Sequence, residues 1–166
     1  MTFYLGGTYS IPEGNSRASW YGFDGTPSVV FDGVEESIGG QPSGSMYASY
    51  LPTVVTRMGM SSPLIMNAAY VALGNEMTLT VNIQVDEAIA NTNNRVSFFV
   101  CQEGYHGQSN MVVDMLDDEP FALSAVGQSI IVSREFTLSS SFTEEDMRLI
   151  VLVQNIGTKE ILQATI

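Results

Sequence analysis

The chain carries one thiol, Cys101, and one imidazole, His106. A cysteine nucleophile works as its thiolate, which a helix N-terminus or a neighbouring cation must favour. Cys101 instead closes the apolar run Phe98, Phe99, Val100, and free cysteine is among the most buried residue types, so its reading is core packing. The bases near it in sequence are Arg95 and His106. His106 sits in the glycine-flanked stretch Glu103–Gln108. A catalytic histidine needs a nucleophile and an orienting acid, and the abundant serines form no GxSxG elbow. A zinc site needs more ligands than Cys101 and His106 supply, and a lone cysteine rules out an intramolecular disulfide or a CxxC redox pair. The sequence therefore assigns no catalytic residue, no metal ligand and no cofactor, and reads as non-enzymatic.

The carboxylates point the same way. Asp114, Asp117, Asp118 and Glu119 form an acidic run, with Asp86 and Glu87 elsewhere. Their spacing does not follow the D-x-[DN]-x-[DN]-G loop that shapes calcium coordination, so a solvated face is the plainer reading. Calcium or carbohydrate binding by loops around Asp114–Glu119 is the weaker alternative. Glu144, Glu145 and Asp146 follow Thr143 as the first turn of a short helix or as a β-turn. Trp20, Tyr21 and Phe23 gather before Pro27; aromatics beside a buried strand are more often core than groove lining.

Eighteen acids against six bases leave a net charge of −12 over 166 residues. That field repels phosphate backbones and anionic headgroups, so neither nucleic acid nor an anionic membrane surface fits as a partner. There is no run of 18 apolar residues to cross a bilayer as a helix. The opening Met1–Ser10 has neither basic residues nor a long apolar stretch, so it carries no export signal of its own.

The elements that must position these residues are mostly strands. Met147–Gln154 is an apolar run interrupted at Arg148 and Gln154, Asn155–Thr158 is a turn signal, and Lys159–Ile166 runs back, which predicts a β-hairpin. Its first strand is apolar on both faces, as in the middle of a packed sheet. Met77, Leu79, Val81, Ile83 and Val85 alternate with polar residues, a strand with one buried face. Leu64–Leu73, Arg95–Cys101 and Ser129–Leu138 are further strands, and Val112–Leu116 and Phe121–Val126 are two short ones separated by Asp117–Pro120. Upstream, Met1–Leu5 is a short strand, Asn15 caps a helix over Ser16–Tyr21 that Gly22 stops, Ser28–Phe31 is a buried strand, and 33–44 is a glycine-rich loop. Ser45–Met58 has helical spacing with Pro52 inside, which predicts a kink or a late start. The pattern breaks at Met60–Pro63, where a domain boundary is placed: 1–60, then 61–166.

Two groups of segments resemble a known pairing. Ser16–Gly33 (SRASWYGFDGTPSVVFDG) is similar to the second half of a thioredoxin-like domain, with Pro27 at the cis-proline position and Thr26 before it. RLIVLVQNIGTKEILQATI, with RVSFFVCQEGYHGQ and NMVVDML, resembles the sandwich domain that follows it in the 28-kDa outer-membrane-protein family of Gram-negative bacteria. The resemblance implies a mainly β fold: an immunoglobulin-like antiparallel β-sandwich preceded by a partial, N-terminally truncated thioredoxin-like α/β segment. It implies an exported address, cell envelope or extracellular, and a structural or protein-interaction role. Thr26 and Pro27 become peptide-binding candidates, because such a proline loop holds extended peptides through backbone hydrogen bonds. The redox pair of that fold is absent from this chain, so no disulfide exchange follows; the rival reading is a fragment of a thiol–disulfide oxidoreductase whose CxxC part lies elsewhere. Without the central strand of that fold, Ser28–Phe31 has an unpaired side. The expectation is that Met1–Leu5 fills it, or that a protein partner or a second chain does.

Overall fold

The computed structural model describes residues 1–23 and 25–166. From Leu64 onward the chain is antiparallel sheet. The elements are α1 (Pro12–Tyr21), β1 (Ser28–Phe31), β2 (Glu35–Ile38), α2 (Tyr47–Met58), β3 (Leu64–Leu73), β4 (Glu76–Val85), β5 (Asn94–Gln102), β6 (Met111–Phe121), β7 (Ser129–Thr137), β8 (Met147–Asn155) and β9 (Ile161–Thr165). A three-stranded sheet, β3-β4-β7, stacks on a four-stranded sheet, β6-β5-β8-β9. The alternation in β4 buries Met77, Leu79, Val81, Ile83 and Val85 against Val96, Phe98, Val100, Leu149, Val151 and Val153 of the facing sheet. This is a β-sandwich core.

A second apolar layer explains why β5 and β8 read as continuous apolar runs. Phe99, Cys101, Val112 and Leu152 pack on the opposite face of the four-stranded sheet, under Phe3 and Ile11. The Phe3 ring meets Phe99 edge-on at 6.1 Å. β5 and β8 are thus covered on both sides, by the other sheet and by the N-terminal segment, as a doubly apolar strand requires.

Several sequence expectations change. Among the described residues Met1–Leu5 does not pair with Ser28–Phe31. Only Thr2 makes a bridge, parallel to Met111, where Thr2 N donates to Asn110 O at 3.0 Å and Val112 N to Thr2 O at 2.9 Å; burying Phe3 on Phe99 decides its course. β1 pairs instead with β2, which lies inside the stretch 33–44 read as loop; Asp32 and Gly33 both have positive φ and make the tight turn that lets the strands pair. α1 begins earlier than expected, with Pro12 in its first turn and no side-chain cap, as suits a residue without an N–H. Asn15 lies within the helix, and its Oδ1 accepts from Gly6 N. Val112–Leu116 runs on through Asp117–Pro120 to Phe121 as one strand, β6, so the acidic run is strand and not loop; the second strand expected over Phe121–Val126 does not form, since β6 ends at Phe121. Pro120 is tolerated because β6 is an edge strand. The final hairpin forms as read, and Pro52 stands inside α2.

Candidate functional site

No hydrophobic residue before Leu64 is fully buried among the described residues; upstream of it only Gly14, Arg17 and Gly33 are. The N-terminal segment lends its apolar side to the sandwich and has no closed core of its own. Val55 and Met58 of α2 are 60% and 80% exposed, and Ile38 of β2 is 56% exposed. α2 is held to β1 by Tyr50 on Phe31, rings 5.4 Å apart, and by Arg57, which reaches Asp32 at 3.0 Å and Glu160 at 3.2 Å.

A cavity of about 510 Å³ opens between the N-terminal segment Met1–Leu5, α1 and β1, walled by Phe3, Leu5, Thr26, Pro27, Val29 and Val30 among others. The Thr26–Pro27 peptide is cis. Pairing with β2 uses alternate residues of β1: Gly39 N donates to Pro27 O at 2.7 Å, and Val29 and Phe31 stand opposite Ser37 and Glu35. By strand alternation the N–H and C=O groups of Ser28 and Val30 then point the other way, along the edge that borders the cavity. Among the described residues no strand pairs with that edge. The floor is fixed where Gly33 meets β8 and β9: a Cβ there would come within 1.8 Å of Lys159 O, and Ile161 N donates to Asp32 O at 2.8 Å.

Behind this cavity lies a polar knot that the sequence did not flag as a site. Arg17, 7% exposed, donates through Nη2 to Gln154 Oε1 at 2.6 Å. Gln154, fully buried, donates through Nε2 to Tyr21 Oη at 2.7 Å and to Lys159 O. Burial pulls the Arg17 guanidinium down from its ordinary pKa, and the neighbouring Tyr21 offsets part of that. Three of the six cations converge here: Arg17, Arg95 and Lys159 lie 5.7, 4.7 and 5.8 Å from the Trp20 ring centre. Trp20 and Tyr21 therefore form a cation–π seam between α1 and the sandwich. The available signal was Gln154, a polar residue inside an otherwise apolar strand.

The remaining chemistry-bearing residues do not meet there. Cys101 is buried within the second apolar layer, and burial pushes its thiol up to about 12, which keeps it protonated. The His106 ring lies 3.7 Å from Tyr9 and 4.2 Å from Tyr105, in an aromatic loop cluster. Asp118 pairs with Arg95 at 3.1 Å and Glu119 with Arg134 at 2.8 Å. No helix among the described residues is long and apolar enough to cross a membrane.

No protein-family model matches the chain, and no curated protein matches it in sequence. Among solved structures, HBP35 of Porphyromonas gingivalis superposes with a TM-score of 0.73 at 17% identity, over 93% of this chain and 57% of that one. The chain thus spans little more than half the length of that neighbour, and the likeness is one of fold. A domain of the outer membrane lipoprotein Omp28 from the same organism aligns at a TM-score of 0.46 and 12% identity, over 63% of this chain and 85% of that domain.

Proposed function

We propose that the chain is a non-catalytic protein-interaction module of a bacterial envelope or extracellular protein, and that it takes an extended segment of a partner protein along the outer edge of β1. The reading divides it into a partial thioredoxin-like segment, residues 1–60, and an immunoglobulin-like sandwich, residues 61–166. The observation that carries the binding role is the edge of Ser28 and Val30, unpaired among the described residues, beside a mostly apolar cavity, in a segment whose described residues close no core of their own. Backbone groups so placed bind by strand addition, with affinity from main-chain hydrogen bonds and selectivity from the flanking pocket. Thr26 and Pro27 form its upstream wall, so the entering strand passes over them. The envelope address comes from the resemblance to the 28-kDa outer-membrane-protein family.

A five-residue peptide of alternating valine and threonine, titrated to about 1 mM into ¹⁵N-labelled protein, tests this; short strand additions of millimolar Kd reach half-saturation there. The Ser28 and Val30 amides should shift, with the β4 and β8 amides unmoved. Val30→Pro removes the outward N–H while sparing the ladder to β2, and should abolish the shifts. An unchanged spectrum, or shifts that survive Val30→Pro, would overturn the assignment.

A further inference from the structure

The sandwich has its own edges, and three of the four are guarded. β6 carries Asp114, Asp117, Asp118, Glu119 and Pro120 and two register shifts against β5. β7 carries Arg134 and Glu135. β9 is five residues long with a register shift against β8. Charges, proline, bulges and shortness are the devices that stop edges from pairing. β3 has none of them. Its ten residues, Leu64–Leu73, contain no charged residue and no proline, and they pair with β4 without a single register shift. On its outer face Ile65, Val71 and Leu73 are 45%, 71% and 82% exposed.

The free hydrogen-bonding groups can be assigned. Pro63 O accepts from Asp86 N at 2.9 Å, so by alternation Ile65, Asn67, Ala69, Val71 and Leu73 bond to β4. Leu64, Met66, Ala68, Tyr70 and Ala72 then direct their N–H and C=O groups outward. Leu64 is already occupied, its carbonyl accepting from Ser62 Oγ and Gln163 Nε2. β9 packs against β3, with Gln163 at its Leu64 end; among the described residues the outward groups from Met66 to Ala72 carry no further backbone hydrogen bond.

We infer that this edge pairs, antiparallel and about a two-fold axis at Ala69, with β3 of a second copy of the chain. The occupant follows from the fit of the strand to itself. In that register Tyr70 lies opposite Ala68 of the second copy and Met66 opposite Ala72, so each large side chain faces an alanine. On the outer face Ile65 meets Leu73 and Asn67 meets Val71, which covers the exposed apolar residues. No charge opposes another along the seam. The contact is isologous and closes at two chains, giving one sheet in the order β7-β4-β3-β3-β4-β7. A few residues of edge bury less than the ~800 Å² per partner of a standard interface, so the dimer is a weak one. Each copy carries −12, so added salt, which screens the long-range repulsion, should strengthen it. The inference rests on a different strand from the proposed peptide edge.

Sedimentation equilibrium up to about 1 mM protein tests it, since weak contacts populate in that range. The weight-average mass should climb from 18.0 kDa toward twice that value, and more steeply at 0.3 M salt than at about 0.03 M. Ala69→Lys sets like charges face to face at the axis and should hold the mass at the monomer value. Ala69→Glu should do the same alone, and an equimolar mixture of the two variants should recover association. Ala69 is exposed, so circular dichroism should show both variants folded. A wild-type chain that stays monomeric throughout, or single-charge variants that dimerise as wild type does, would overturn the inference. Val30→Pro should leave the mass profile unchanged; loss of dimer there would place the contact on β1 and equally overturn it.

Discussion

Replacing Gln154 by methionine keeps the side-chain volume close to constant while deleting every polar atom of the amide, so little cavity cost intrudes. Three bonds go. Oε1 no longer accepts from Arg17, and Nε2 no longer donates to Tyr21 Oη or to Lys159 O. A hydrogen bond to a charged group contributes about 1.5–3 kcal/mol and a neutral one about 0.5–1.5 kcal/mol, and these partners lose access to water as well. The sum is about 2.5–6 kcal/mol. In a chain of this length each kcal/mol moves the melting midpoint about 2–4 °C, so Gln154→Met should lower Tm by roughly 10 °C. Arg17→Met is the informative contrast. It removes the buried charge together with its need for a partner and keeps an apolar stem over Trp20, Tyr21 and Phe99. Only the Gln154 acceptor is stranded, so the cost should be about 1–2 kcal/mol. The double variant should cost no more than Gln154→Met alone, because the two residues share one bond. Urea melts at pH 7 followed by far-ultraviolet circular dichroism give the numbers. The reasoning fails if Gln154→Met falls within 1 kcal/mol of wild type, or if Arg17→Met proves the costlier change.

Further outcomes concern other parts of the molecule. The Cys101 thiol titrates near 12 when folded and near 8.5 when unfolded. Its stabilising contribution is complete below the unfolded value and falls by about 1.4 kcal/mol per pH unit between the two; stability against pH for wild type and Cys101→Ala should therefore diverge above pH 8.5, and parallel curves would contradict the burial argument. Gly33→Ala would put a Cβ onto Lys159 O in a residue at φ +81°, and should detach the β1–β2 hairpin from β9, seen as lost protection of the Ile161 amide in hydrogen exchange. Arg57→Ala breaks two pairs with partners 46% and 40% exposed, so global stability should fall by under about 1 kcal/mol, while exchange across Tyr47–Met58 should rise markedly.

The sandwich was legible where burial is one-sided or complete. β4 announces itself by strict alternation, and the hairpin of β8 and β9 by an apolar run closed on Asn155–Thr158. β6 was misread because Asp117–Pro120 look like a turn, although on an edge strand their side chains find Arg95 and Arg134 instead of water alone. β2 hid among glycines: Gly33 serves its turn, and Gly39 and Gly40 follow it directly. Thr26 and Pro27 stand out only through the resemblance to a thioredoxin-like proline loop; both border the cavity. The Arg17–Gln154 knot was only half legible: Gln154 stands out within an apolar strand, but the sequence does not name its partner. Those two residues lie 137 positions apart, and only the docking of α1 on the four-stranded sheet brings them together.

Trp20 is the sole tryptophan of the chain, and it stands in the seam between α1 and the sandwich. Its emission is therefore a local reporter: it records whether the helix is seated on the sheet and says little of whether the sheets themselves persist. A denaturation followed by fluorescence would time the departure of the lid, while the amide band near 218 nm times the loss of strands. If the first 60 residues let go early, the two curves will part company, and the gap between their midpoints measures how loosely the roof is nailed down.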